Sequence, residues 1–206
     1  MSRPRYTYSA AALLFFASGQ CYASYCLTHP TQGAPQSISF GVVKVPDGVP
    51  PGTVIAERRG APNVRYLATC IYPWRTSKVH LFTKPSPLGN GIYETNVKGI
   101  GIRTSFNYYN SGEAVAPEDL HVKWALKSNV GAAKVELIVT GPLESDGELQ
   151  SGRLATAGFD GFAQAEVTLS ATRIVRKRLV CQFLTPETKA RQSKALSPRT
   201  TVQEVL

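Results

Sequence analysis

Ala165-Glu166-Val167-Thr168-Leu169-Ser170 sets an apolar side chain against a polar one at every step. Successive side chains of an extended chain point to opposite faces, so this run has one oily face and one wet face, as a half-buried β-strand requires. Residues 134–140 repeat the pattern, with Val135, Leu137 and Val139 on one side. Residues 121–127 do so as well, with Val122, Trp124 and Leu126 against His121, Lys123 and Lys127.

Working outward, further runs rich in branched and aromatic residues cover 37–45, 53–58, 64–72, 79–83, 100–108, 148–155 and 173–181. Turn formers such as Pro46-Asp47-Gly48, Pro50-Pro51-Gly52, Pro73 and Asp146-Gly147 separate them. Nine or ten short strands broken by turns predict an all-β fold, an antiparallel β-sandwich of immunoglobulin-like or lectin-like type. One short helical turn is expected near 117–120, where Pro-Glu-Asp opens it. The composition agrees: of 206 residues only 18% are charged, while glycine (17) and proline (14) are frequent.

The first 23 residues read as an export signal. Arg3 and Arg5 precede the apolar run 10–17, and Cys21-Tyr22-Ala23 places small residues where a signal peptidase reads. The apolar run is too short to span a bilayer, and no other run is long enough, so the exported chain is not expected to cross a membrane. The formal net charge is +9, two of which leave with the signal and four of which (Lys189, Arg191, Lys194, Arg199) sit in a polar tail expected to be disordered. No basic run interleaved with stacking aromatics points to nucleic acid.

Export leaves Cys26, Cys70 and Cys181 in an oxidising compartment. A Cys26–Cys70 disulfide is expected, tying the mature N-terminus to the 64–71 strand, with Cys181 left unpaired. Without a CxxC or Cys/His cluster, no metal site and no cofactor are expected. The histidines His29, His80 and His121 are scattered, and Glu144, Asp146 and Glu148 read as solvated turn residues, so no catalytic site is expected.

Several segments resemble one family. Residues 49–56 (VPPGTVIA), 91–103 (GIYETNVKGIGIR), 135–142 (VELIVTGP) and 147–155 (GELQSGRLA) are similar, in order, to stretches of chaperone–usher fimbrial tip adhesins. The resemblance implies a receptor-binding sandwich over 24–180 that attaches bacteria to a host glycan or matrix protein, followed by a pilin domain. Cys181-Gln182-Phe183-Leu184-Thr185-Pro186 resembles the first strand of that pilin domain, so 181–206 reads as its truncated start. A periplasmic pilus chaperone and adjacent pilus subunits are implied as partners of a complete pilin domain. A minor pilin or adaptor without its own ligand, and a secreted carbohydrate-binding module or hydrolase, are the rival readings.

Within the motif, Gly99 and Gly101 are expected to allow close sheet approach, and Asn96 to hydrogen-bond its local backbone. Ligand sites on such surfaces use aromatic platforms with a few polar groups. The candidates are Tyr72, Trp74 and Arg75 in an expected loop after Cys70, together with Arg103, Tyr108 and Tyr109, with Asn107 alongside. Trp124, alternating with lysines, is expected in the core.

Overall fold

The structure is a computed structural model that describes residues 25–26, 33–61, 69–109, 111–123 and 129–177. The expected signal (1–23), residues 64–68, Trp124, Cys181 and the expected pilin stub and tail lie outside the described residues. Fifteen strands follow one another, with no helix among the described residues. They are β1 (Tyr25–Cys26), β2 (Gln36–Ile38), β3 (Gly41–Pro46), β4 (Val54–Arg59), β5 (Cys70–Ile71), β6 (Trp74–Val79), β7 (Tyr93–Glu94) and β8 (Ile100–Tyr108). The chain continues through β9 (Gly112–Val115), β10 (Glu118–His121), β11 (Val130–Val139), β12 (Gly147–Leu149), β13 (Gly152–Phe159), β14 (Phe162–Leu169) and β15 (Thr172–Lys177).

Two five-stranded sheets carry the fold. One runs β10-β6-β13-β14-β2; the other runs β4-β11-β8-β7, with β9 also on β8. Their inner faces meet in one core: Ile102, Phe106, Val135 and Leu137 from the second sheet face Leu154, Ala157 and Val167 from the first, all at most 2% exposed. Each large side chain so buried contributes roughly 1.5–3 kcal/mol. A third sheet, β12-β15-β3, continues the sandwich toward one end.

The all-β sandwich is as the sequence predicts, with local corrections. Two pairings are parallel, β14 with β2 and β15 with β3, because the first and last long segments run side by side from one sheet into the next. The expected strand at 79–83 lies earlier, over β6. The expected helical turn at 117–120 is strand β10, drawn into the ladder where Glu118 pairs with Ser77. The expected strand 148–155 is split into β12 and β13, and 37–45 into β2 and β3, each at a bend between sheets.

The glycine motif works as a close-approach device. Gly99 has φ +90, and a Cβ there would lie 2.4 Å from the Pro142 carbonyl oxygen. Asn96, in contrast to the local role expected, reaches across the sheet end: its Nδ2 donates to Glu148 O (2.8 Å) and its Oδ1 accepts from Gln150 N (2.9 Å). It acts as a piece of strand, satisfying the edge of β12.

Cys26 and Cys70 are joined in a disulfide, opposite one another in the β1–β5 pairing. Closing a loop of sequence separation 44 stabilises by about 4 kcal/mol in the chain-entropy account. Replacing both cysteines by serine is therefore expected to lower unfolding free energy by about that amount in denaturant titration. A loss below about 1 kcal/mol would show that the bridge does not constrain the unfolded chain.

Candidate functional site

Strand β6 orders the candidate site. Its residues alternate, with Arg75 and Ser77 buried and Trp74 and Lys78 exposed. Arg75 turns inward because its charge is matched there. Its Nε donates to Glu118 Oε2 (2.7 Å) and its Nη2 donates to Glu118 Oε1. Its guanidinium carbon sits 4.6 Å from the centroid of the Tyr108 ring, an arrangement that favours a desolvated cation. Tyr108 in turn meets Phe159 edge-on at 5.6 Å. Burial, followed by the charge of Glu118, pushes the Tyr108 phenol well above its ordinary pKa.

Period two then places Trp74 on the outer face, 46% exposed. Its register partner on β10 is His121, and partners across a ladder share a face. The two rings lie 5.1 Å apart, and Tyr72 stacks with His121 at 6.4 Å with an interplanar angle of 11°. The Asp160-Gly161 turn between β13 and β14 clamps the backbone: Trp74 N donates to Asp160 Oδ1 (2.8 Å) and Asp160 N donates to Trp74 O (2.8 Å). Asp160 Oδ2 lies 3.1 Å from the Cys26 sulfur. Cys26, Cys70 and Asp160 form a compact group, but both sulfurs are spent in the disulfide and provide no thiolate for a metal.

Of the sequence candidates, Tyr72 and Trp74 come together at this pole, and Tyr109, 55% exposed, caps the end of β8 at the same pole. Arg75 and Tyr108 were expected at the surface and are instead buried, at 7% and 1% exposure. Nor is Trp74-Arg75 a loop: the cation is stabilised only if β6 begins there and carries it to Glu118. Arg103 lies on the outer face of the other sheet, its Nε donating to Glu136 Oε2 at 2.7 Å. Lys134, Glu113 and Arg59 extend this ion-pair network. The two motif segments 91–103 and 135–142 therefore meet through a salt bridge.

His121 and Asp160 were missed as members of the site. Asp160-Gly161 is a hairpin signal in the sequence; nothing local places His121 beside Trp74. Among the described residues a second hollow of about 380 Å³ lies around Thr95, Asn96, Lys98 and Gly99, but its charged rim is self-paired as Lys84–Glu94 and Lys98–Glu144.

A family model described as MrkD-like receptor binding domain matches residues 37–172. The chain therefore belongs to this family, the receptor-binding domains of chaperone–usher fimbrial tip adhesins. The receptor binding domain of the plasmid-born adhesin MrkD1P of Klebsiella pneumoniae has a similar structure, with TM-score 0.54 and 23% identity over 79% of this chain and 100% of that one. At that identity the likeness bears on the fold. The Ambient Temperature Fimbriae adhesin AtfE of Proteus mirabilis (TM-score 0.42, 15% identity, 70% of this chain and 99% of that one) is too distant to bear on it. The same holds for the CupB6 tip adhesin of Pseudomonas aeruginosa (TM-score 0.43, 14% identity, 71% of this chain and 43% of that one). No curated protein matches the chain.

Arg75→Ala leaves Glu118 facing the protein interior without its partner, and is expected to cost about 3 kcal/mol in unfolding free energy by denaturant titration. An unchanged midpoint would mean that the fork does not hold β6. The hydrogen bond from Arg103 holds the Glu136 carboxyl below its ordinary pKa, against the effect of burial. Burial likewise opposes the lowering at Glu113, but hydrogen bonds from Lys134 and Ser105 outweigh it. A depressed carboxyl contributes stability that is complete above the unfolded glutamate value, about 4.3, and is lost as pH falls through the folded value. The melting temperature is thus expected to drop below about pH 4, and the fall to be shallower in a Glu113→Gln/Glu136→Gln variant; equal slopes would refute the network's part.

Proposed function

We infer that this chain attaches a bacterium to a host surface, and that its ligand, a host glycan or an extracellular-matrix protein, docks on the aromatic pole built by Tyr72, Trp74 and His121. One observation carries the reading: Ile71, Trp74, Tyr109, Leu120 and Phe162 are all exposed, and all fall at this one end of the sandwich. Soluble domains rarely gather apolar side chains at the surface without a partner for them.

The placement of the pole supports the same reading. Strand β8 runs from Ile100, in the hollow shared with Pro46 and Arg176, to Tyr108 under Arg75. Nine residues of strand span about 27 Å. Strand β15 ends at Lys177 beside Asp47, at the far end from Trp74. A pilin domain that continued from there, with its chaperone and then adjacent pilus subunits, would engage the fibre at the far pole and leave the aromatic pole outermost.

The reading is of binding without catalysis. The charged groups nearest the pole are held in structural pairs, Arg75 with Glu118 and the Asp160 carboxylate with Trp74 N. An adaptor subunit with no ligand of its own would have no use for an exposed ring pinned by a turn that lies against the disulfide. Trp74→Ala in the full exported chain is expected to weaken capture on immobilised glycans and matrix proteins about tenfold or more, with an unchanged melting temperature. Val42→Ala, at an exposed residue of β3, is the control and is expected to bind as the parent does. Equal binding by the Trp74 variant would sink the assignment of this pole.

A further inference from the structure

The outer face of the β10-β6-β13-β14 sheet holds a trough that begins at Thr76, the next outward-facing residue of β6 after Trp74. It has a volume of about 260 Å³ and is lined by Thr76, Lys78, His80, Arg153, Thr156 and Gly158, with Ala163 in its floor. A bulge creates it. The β13–β14 register shifts between Ala157 and Gly158, and the added residue, Gln164, turns inward to accept a hydrogen bond from Val130 N (3.2 Å). A Cβ at position 158 would stand 1.7 Å from the Phe162 carbonyl oxygen, so only glycine fits. With Gly158 and Ala163 side by side, the outer face there carries almost no side chain.

We propose that this trough binds a neutral oligosaccharide lengthwise, one ring stacked on Trp74 and the following rings hydrogen-bonded by Thr76, Lys78 and the Arg153–Glu166 pair. This rests on the adhesin reading above and deepens it by naming ligand and path. From Trp74 to Lys78 the strand advances about 13 Å, longer than a single sugar ring. The Arg153 Nε and Glu166 Oε2, 3.1 Å apart, present a donor and an acceptor side by side, as a vicinal diol requires.

Charge selects against an acidic ligand in spite of the basic chain. Arg153 on β13 is paired with Glu166 on β14, and Asp119 on β10, opposite Thr76 in the register, shares the outer face with Lys78. His80, hydrogen-bonded to Thr156 Oγ1 (2.9 Å), is held toward its neutral form, since burial and then Arg153 lower its pKa. A peptide is disfavoured for a different reason. The backbone groups of the floor are already paired in the ladders, and an added strand needs an open edge.

The test uses the full chain, exported to the periplasm of an expression host, on an array of neutral, sialylated and sulfated glycans with collagen and an acidic peptide alongside. Neutral oligosaccharides of two or more rings are expected to bind, with affinity changing less than about twofold between about 50 and 500 mM salt. Trp74→Ala and the trough-filling Ala163→Tyr are each expected to weaken binding about tenfold with an unchanged melting temperature, while Val42→Ala, at an exposed residue of β3 outside the trough, binds as the parent does. Loss in the Trp74 variant but not in Ala163→Tyr would overturn the trough and keep the aromatic pole. Loss in neither would overturn both. Binding confined to charged glycans with a steep salt dependence, to the peptide or to collagen, or to nothing on the array would overturn the neutral-sugar assignment.

Discussion

The inward turn of Arg75 is the constraint on which the rest of the site depends. A guanidinium is tolerated inside a β-sandwich only with its charge matched and its donors engaged. Glu118 supplies both, and the Tyr108 face covers the flat side of the cation. Once Arg75 is fixed, the period of a strand leaves no choice for its neighbours: Trp74, Thr76 and Lys78 face out. The same contact aligns β10 on β6 and so brings His121 beside Trp74. An exposed aromatic side chain is thus held by an ion pair on the opposite face of the sheet.

A second layer of restraint acts on the backbone. Asp160, at the β13–β14 turn with φ +50, takes the Trp74 N–H on its carboxylate, and the Cys26–Cys70 disulfide lies against the same turn. Ordering an exposed aromatic before a ligand arrives lowers the entropy lost on binding. The opposite end of the domain is built differently, from glycine close approach at Gly99, the strand-mimicking amide of Asn96 and surface ion pairs. Those features close the sandwich at the end where β15 finishes, and among the described residues that end carries no comparable exposed rings.

The proposed binding by a sheet face also suits a molecule with charge on an edge strand, as at Glu57, Arg58 and Arg59 on β4. Charged edges discourage unwanted strand pairing, while a face whose backbone bonds are complete remains available to a ligand that recognises side chains.

The sequence by itself determined the fold class and the core faces of β11 and β14, because period-two alternation and turn chemistry are local, and it pointed to the Cys26–Cys70 bond that ties the mature N-terminus to an apolar run. The family motifs were legible too, although the pairing of Arg103 with Glu136 between two of them was not. Tertiary structure decided the site. Arg75 and Tyr108 looked like surface groups since nothing adjacent to them announces Glu118 or Phe159; Glu118 lies 43 residues from Arg75 along the chain. The hairpin bulge that empties the trough floor and the arrival of His121 opposite Trp74 are likewise products of register. Register is set by contacts between distant segments, and a single strand's pattern does not contain it.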